Sequence, residues 1–576
     1  MNKNDIITLE ITDISAEGSG IGRCEGLAVF VPQTAVGDRI SARVLKVKKN
    51  YAFARMEELL TPSGSRIAED CPAFNRCGGC ALRHIDYRAE CDIKYNRVLE
   101  TMRRIGGVTL EPQTLVPSPK YERYRNKAQY PIAADGSVGF YAPRSHRIIP
   151  NNNCLLEPTE FSTVAEALKA WINQNNVSIY NEETHEGLLR HLYLRAAVVT
   201  GEIMVTLVIN GGGIPNADFL VSALQSALGD RLKSVQLNIN RKPTNVVLGD
   251  KNIVIFGSST ITDVLRGVKV RISPHSFYQV NHDAAELLYS IAEDYAAPDG
   301  KTVLDLYCGA GTIGLSMAHR AHEIIGVEIV PQAVEDARFN AEQNGISNAR
   351  FICADAAAAA EELARTNITP DVVILDPPRK GCDEALLKIV AQDFAPQRLV
   401  YVSCDVATLA RDTAILQDFG YSIEQYTPVD MFPKTTHVET VALLCRKIDV
   451  HKMDLNSSPF KMIKSGEKTI ELRLFDEKRQ QLKAGDKIAF TNTATGETLN
   501  TTVVKLHRFD SFKELYKSLP LLKCGYTTEN VDNAKPSDME QYYSVEEQNK
   551  YGVVGIEICR PKEITDECVA YFTQQQ

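Results

Sequence analysis

No apolar run in this sequence approaches the roughly 20 residues needed to span a bilayer, so a transmembrane helix is not expected. The N-terminal MNKNDIITLEITDIS lacks the basic segment and apolar stretch of a secretory signal, and a cytoplasmic protein is expected. Tandem repeats and low-complexity segments are absent as well. There is no excess of positive charge: 64 Lys and Arg face 73 Asp and Glu, for a net charge of −9. Net charge averages over domains, however, and neither supports nor excludes a nucleic-acid partner. Basic residues gather at Arg39, Arg43, Lys46, Lys48, Lys49 and Arg55, with Asp38 the only acid among them, whereas acids crowd the last third (Asp532, Asp538, Glu540, Glu546, Glu547). What is present is length and cysteine. At 576 residues the chain exceeds one hydrophobic core, and roughly three to five domains are expected. Its 14 Cys, without a secretory signal, point to reduced thiols, so clustered ones suggest metal binding or catalysis. Cys24, Cys91, Cys353, Cys382, Cys445, Cys524, Cys559 and Cys568 stand apart from any cluster and read as ordinary thiols.

Residues 1–58 read as short alternating strands broken by Gly turns, the pattern of a small β-barrel. The G-x-G-I-G-R turn at Gly18 to Arg23, the V-F-V-P strand and the G-D-x-I-x-A-x-V run resemble the TRAM domain, an OB-like barrel of tRNA- and rRNA-modifying enzymes, which implies RNA contact. Residues 59–267 hold a cysteine cluster, a helical stretch from Tyr87 ended by a Gly pair, and a mix of strands and helices read as an α+β module. From 268 to 448, apolar strands (TVLDLYC, EIIGVEI, ARFICAD, DVVILDPP, RLVYVSC, TVALLCRK) alternate with helices, which predicts a doubly wound parallel sheet. Residues 452–560 form a separate unit, read as a small β-barrel with one or two helices. The fold class is thus multidomain α/β.

The segment Asp305 to Gly314, D-L-Y-C-G-A-G-T-I-G, follows an apolar strand and opens a helix. Glycines there let the backbone turn sharply and approach a ligand, and a helix N-terminus offers free N–H groups to a carboxylate such as that of S-adenosylmethionine (SAM). Glu328 ends the next strand, where an acid suits the two ribose hydroxyls. Asp355 ends a third strand, at the place of adenine contacts. Each acid alone could equally be a helix cap; together they favour SAM over a nicotinamide cofactor. The D-P-P-R turn, Asp376 to Arg379, closes a fourth strand and points to a nucleobase substrate, without choosing nitrogen or carbon as the acceptor.

Val402-Ser-Cys-Asp405 points to carbon. Uracil C5 is a poor nucleophile; addition of a thiolate at C6 turns the ring into an enolate that attacks the methyl group, after which a base must remove the C5 proton. One Cys and one carboxylate are required. Cys404 lies at the C-terminal end of a strand, and Glu439 in T-T-H-V-E-T-V just before the last strand; His437 is the weaker candidate for the base. Residues 1–447 resemble the RNA uracil-5 methyltransferases, particularly the 23S rRNA members that carry a TRAM domain and an iron–sulfur cluster. That resemblance implies Cys404 as nucleophile, Glu439 as general base, and Gln279, Tyr307, Glu328 and Asp376 as contacts to SAM or the flipped base, with Asp355 on the adenine side. V-S-C-D-V replaces the family's usual S-C-N/D-P, and Thr312 stands where some members have Asn, which leaves the role of residue 312 open.

Cys71-x5-Cys77-x2-Cys80 with the distant Cys154 supplies four soft ligands, suited to a [4Fe–4S] cluster or to tetrahedral zinc; spacing alone does not separate them. The family resemblance implies [4Fe–4S] in preference to zinc, in a structural or RNA-binding role, because the methyl transfer needs no redox step. The tight Cys-x3-Cys-x2-Cys spacing of radical SAM enzymes is absent. Nearby Tyr124, Arg125, Asn126 and Lys127 place two cations that either meet phosphates or are solvated. Ser465 to Arg473 (S-G-E-K-T-I-E-L-R), A-G-D-K-I-A-F and YGVVGIEI resemble the ASCH domain, a relative of PUA RNA-binding barrels. Some ASCH proteins are amidohydrolases using Lys, Thr and Glu, but Glu471 falls where that motif has Thr, so a second RNA-contact module is expected instead. The implied partner is RNA, 23S rRNA above all, with no membrane and no obligate protein partner. Alternatives are a tRNA uracil-5 methyltransferase, which normally lacks the TRAM domain and the Cys cluster, and an inactive iron–sulfur RNA-binding factor, which the intact Cys404, Glu439 and DPPR argue against.

Overall fold

The computed structural model describes residues 1–559 except 144, 152, 367, 448, 449 and 484, so Arg560 at the end of the C-terminal unit and Cys568 lie outside the described residues. The chain divides into two compact units, residues 1–445 and 446 onward. No described helix is long and apolar enough to cross a membrane.

The first unit begins with a curled six-stranded sheet, in spatial order Ile6–Glu10, Arg39–Val47, Tyr51–Thr61, Leu27–Val31, Gly20–Cys24 and Asp13–Ile14. Its strands alternate inward apolar residues (Leu9, Val29, Val31, Ile40, Ala42, Ala52, Ala54) with outward ones, the period that a half-buried strand dictates. The last strand runs to Thr61. A five-stranded sheet follows, ordered Lys251–Gly257, Leu232–Ile239, Ile203–Ile209, Leu189–Ala196 and Lys127–Pro131. Helices Thr159–Asn175 and Ala217–Leu228 bury Phe161, Leu168, Trp171, Leu220 and Leu224 against it.

The strands of the third sheet are β1 Thr302–Leu306, β2 Glu323–Glu328, β3 Ala349–Cys353, β4 Val372–Leu375, β5 Arg398–Ser403, β6 Tyr421–Val429 and β7 Glu439–Arg446. Their spatial order is β3-β2-β1-β4-β5-β7-β6. Alternate residues feed two cores. Val303, Ile324, Val372, Ile374, Val400 and Val402 face helix His282–Ala296, whereas Leu304, Ile325, Val327, Val373, Leu399 and Tyr401 face helices Ala356–Arg365 and Val406–Asp418. Helix Tyr87–Arg104, read in the sequence with the central module, inserts Val98 and Met102 into the second of these cores. The expected parallel sheet needs one correction: β1 to β5 are parallel, but β7 runs antiparallel to β5, and β6, absent from the sequence reading, occupies the edge. The segment Tyr421–Val429 mixes polar Ser, Glu, Gln and Thr with its apolar residues because it is an edge strand, which removes the hydrophobic run that marks its neighbours.

The second unit is a five-stranded sheet ordered Val450–Leu455, Lys487–Asn492, Thr498–Phe509, Val553–Cys559 and Ile470–Leu474, with helices Ser457–Ser465, Phe512–Ser518 and Val545–Tyr551.

Candidate active site

At the C-terminal tip of β1 the chain turns through left-handed backbone at Tyr307 (φ 68°), Gly309 (φ 55°) and Gly311 (φ 78°) into the short helix Thr312–Met317. A side chain at residue 314 is blocked: a Cβ there would lie 2.8 Å from Ile324 Cγ2 and 3.0 Å from Asp305 Oδ2. Asp305 Oδ2 accepts the Gly314 N–H at 3.0 Å, and burial, then the nearby Asp376 charge, raises its carboxyl to about 8. Glu328, at the tip of β2, reaches back to accept the Gly309 N–H at 3.2 Å and the Val330 N–H at 2.8 Å. Asp355, beyond β3, is exposed and caps helix Ala356–Arg365 by accepting the Ala357 and Ala358 N–H groups. It therefore does serve as a helix cap, through Oδ1. Gln279 is buried ahead of helix His282–Ala296, and its carbonyl accepts from the Asn126 amide. Residue 312, left open by the sequence, hydrogen-bonds through its hydroxyl to Tyr289 Oη at 3.0 Å. Tyr289 also interacts with the Gln279 side chain and feels the charges of Asp376 and Asp305. Sequence reading passes over Tyr289, which looks like one more apolar-face residue of an amphipathic helix.

Cys404 follows the last residue of β5. Ser403 and Asp405 hold it in place: the Ser403 hydroxyl donates to the Asp405 carbonyl (2.9 Å), and Asp405 caps helix Val406–Asp418 by accepting the Ala407 and Thr408 N–H groups. In the antiparallel β5–β7 ladder the last pair is Ser403 with Thr440, so Cys404 directly follows it on one strand and Glu439 directly precedes it on the other, and the Glu439 charge acts on the Cys404 thiol. The reversed direction of β7 brings its first residue to the same edge as the C-terminal tips of the parallel strands, where the glycine turn lies. Glu439 is buried, and burial, then the Asp376 charge, lifts its carboxyl to about 8 against the opposing effect of Arg379. Asp376, at the tip of β4, is raised to about 7 by its desolvated surroundings. Cys404 is half-buried, and burial, then the charges of Glu439 and Asp376, push its thiol up to about 11. Arg379 pulls both Cys404 and Glu439 toward ionisation.

A cavity of about 610 Å³ is lined by Cys71, Cys77, Cys80 and Cys154 together with Arg379, Phe432, Thr435, Thr436 and His437 and the cations Arg125 and Lys127. Burial raises the Cys80 thiol to about 12 and lifts Cys77 and Cys154 as well. Lys127 is lowered to about 8 by burial and by Arg195 and Arg125. Among the described residues no three His, Cys, Asp or Glu side chains stand close enough to ligate one ion, but the four cysteines converge on one cavity with only soft donors among them. In the second unit a cavity of about 460 Å³ is lined by Lys468, Glu471, Arg473, Cys524, Tyr526 and Tyr543. Lys468 Nζ lies 3.0 Å and Arg473 Nε 2.9 Å from the two Glu471 oxygens, so the three side chains form one ion-pair group.

On the N-terminal sheet Phe30, Tyr51 and Phe53 cluster with ring centroids 5.5–5.8 Å apart, the last two exposed. Ladder partners surround them with cations: Lys46 pairs with Phe53 and Arg43 with Arg55, the two arginines sharing Glu57.

A doubly wound sheet with a left-handed glycine turn after β1 and acids at successive strand tips defines a SAM-dependent methyltransferase. The family model for tRNA (uracil-5-)-methyltransferase matches residues 87–447, with the TRAM domain at 2–56 and the ASCH domain at 453–562. An uncharacterized RNA methyltransferase of Halalkalibacterium halodurans is 42% identical over 451 residues, 77% of this chain and 98% of that one. A second, from Listeria monocytogenes serotype 4b, is 41% identical over 449 residues, 77% of this chain and 98% of its own. Among solved structures, Pyrococcus abyssi tRNA (uracil-54, C5)-methyltransferase in complex with S-adenosyl-L-homocysteine aligns with TM-score 0.62 and 29% identity, over 76% of this chain and 100% of that one. The chain belongs to the RNA uracil-5 methyltransferase family and carries TRAM and ASCH domains in addition.

Proposed function

We propose that this enzyme methylates uracil C5 in RNA through a covalent adduct between Cys404 Sγ and uracil C6. The observation that carries the reading is that Cys404 directly follows and Glu439 directly precedes the last β5–β7 pair, Ser403 with Thr440, at the strand edge that bears the glycine turn, with the Glu439 charge acting on the Cys404 thiol. The Cys404 thiolate adds to C6; the electron pair moved to C5 attacks the SAM methyl group, forming C5–CH3 and releasing S-adenosylhomocysteine. Glu439 then takes the C5 proton, the C5=C6 double bond re-forms and the thiolate leaves. Arg379 favours both thiolate and carboxylate, and the cationic sulfonium of SAM, when bound near these groups, would favour their ionised forms as well. Gln279, Tyr307, Glu328, Asp355 and Asp376 are assigned to SAM or the flipped base. Extruding that base costs a few kcal/mol, least in single-stranded or loop RNA.

Cys71, Cys77, Cys80 and Cys154 are assigned to a [4Fe–4S] cluster, which when bound would cross-link distant segments around the cavity and supply no electron to the methyl transfer. Large-subunit rRNA is the substrate favoured by the family resemblance of the four-cysteine pattern. The tRNA reading is favoured by the Pyrococcus neighbour, whose own substrate is a tRNA uracil and whose match covers 76% of this chain. Mass spectrometry of the enzyme incubated with SAM and 5-fluorouridine transcripts of each RNA tests both. A methylated protein–RNA adduct, lost in Cys404→Ala, is expected with one of them. SAM binding without any adduct overturns the covalent mechanism.

A further inference from the structure

Residues 430–438 join β6 to β7 and end at Glu439. Their polar anchors come from helix Tyr87–Arg104, from the segment after Cys80 and from Tyr124. Lys434 is 3% exposed and adopts a left-handed backbone (φ 68°), a conformation that costs a non-glycine residue roughly 1–2 kcal/mol. Its N–H donates to Glu90 Oε1 at 2.6 Å, and its carbonyl accepts the N–H groups of Ala81 (2.9 Å) and Leu82 (3.1 Å), the two residues after Cys80. Its ammonium lies 3.6 Å from Glu90 Oε2, donates to the Ile85 carbonyl at 3.5 Å and faces the stacked rings of Tyr87 and Tyr121. Lys94, from the same helix as Glu90, donates to Glu90 and Asp430 at 2.7 Å each and to the Phe432 carbonyl at 3.1 Å. Tyr124 Oη holds the Pro433 carbonyl, and Arg97 the Thr436 carbonyl at 2.9 Å. Two cations and two carboxylates, all buried, balance one another.

A buried ion network is often no better for stability than an apolar core of the same volume, because desolvation offsets its attraction. What it supplies is direction, and here the bonds to Lys434 and its neighbours fix the loop that leads into Glu439. Resting on the covalent reading above, we propose that Lys434 is a positioning residue for proton abstraction. It couples the segment after Cys80 to the loop that begins β7 and so holds the Glu439 carboxylate opposite Cys404. Thr435, Thr436 and His437 of the same loop wall the cysteine cavity, so what occupies that cavity and the base share one support.

The test is Lys434→Met in the full chain, with SAM and RNA containing ordinary uridine. A displaced base leaves C6–S and C5–CH3 bond formation intact and slows only elimination. An already methylated protein–RNA adduct therefore accumulates well above the wild-type level, kcat falls roughly 10- to 100-fold for an ångström-scale displacement, and KM for RNA falls with it, so that kcat/KM stays close to wild type. Lys434→Arg, which keeps the charge, restores most of the turnover. Turnover that falls without adduct, a rise in KM alone, or no change would overturn the proposal. If Lys434→Met does not fold, Arg97→Met releases the Thr436 carbonyl of the same loop and is read in the same way. Folded wild type that forms no adduct even with 5-fluorouridine RNA defeats the covalent reading itself and not the role of Lys434.

Discussion

Replacing Glu439 by Gln should stabilise the free enzyme while disabling it, and only above a definite pH. Burial and Asp376 hold this carboxyl at about 8 rather than its ordinary 4.5, so the folded protein binds the proton more tightly than the unfolded chain. A carboxyl raised in this way contributes stability fully below its unfolded value and loses it as pH climbs to the folded value. At about 1.4 kcal/mol per pH unit, wild type loses on the order of 3 kcal/mol by pH 7 and on the order of 5 kcal/mol above pH 8 relative to a side chain that does not titrate. Glutamine has nearly the shape of the protonated acid, so the two proteins should be equally stable near pH 4.5 and diverge steadily to pH 8. Urea unfolding of the unliganded full chain at pH 5, 7 and 8.5, followed through the transition of the first unit, measures the difference. A gap of the same size at all three pH values would refute the claim that this carboxyl is held neutral by burial. In the same variant, uridine RNA should be trapped as methylated adduct because no base removes the C5 proton.

For wild type, kcat at saturating SAM and RNA should rise with pH toward about 8, since Glu439 acts after the irreversible methyl transfer and its ionised form is the active one; a kcat profile flat from pH 6.5 upward, with elimination limiting turnover, would remove Glu439 as the base. Cys154→Ser should strip bound iron and visible absorption from the purified protein; iron and zinc analysis decides between the two metals that four thiolates suit. Tyr51→Ala combined with Phe53→Ala should weaken single-stranded RNA binding by roughly 1–3 kcal/mol for each base that stacks on the exposed rings. Fluorescence anisotropy reads the Kd, and an unchanged value takes that face out of the RNA path.

Much of this architecture is visible in the chain as written. The central parallel strands β1, β2, β4 and β5 announce themselves as apolar runs because both their faces are buried, and the Gly turn, Asp376 and Cys404 fall at strand ends for the same topological reason. Edge strand β6, whose outer side is met among the described residues only by the short segment at residues 113–116, carries too many polar residues to stand out. The direction of β7 is hidden as well, since an apolar run reads the same forwards and backwards. Chemistry alone therefore suggests that Glu439 lies close to Cys404, whereas the spacing of the two residues along the chain carries no sign of it. Asp355 looks like a ligand-contact position, and the structure adds that one of its oxygens caps a helix. Least visible of all are Lys94 and Lys434: a lysine in a sequence suggests solvent, and only the convergence of Glu90 and Asp430 from distant segments reveals two that are buried. Tyr289 is masked in a similar way by the amphipathic helix that bears it.

The antiparallel course of β7 also bears on which changes of length the chain tolerates. Surface connections commonly absorb insertions and deletions with little penalty, but the segment between Val429 and Glu439 feeds directly into a ladder whose side chains alternate faces at every residue. Slipping that ladder by a single position would turn Glu439 to the far side of the sheet. The number of residues in this connection is thus as much a chemical specification as the identity of the residue that ends it.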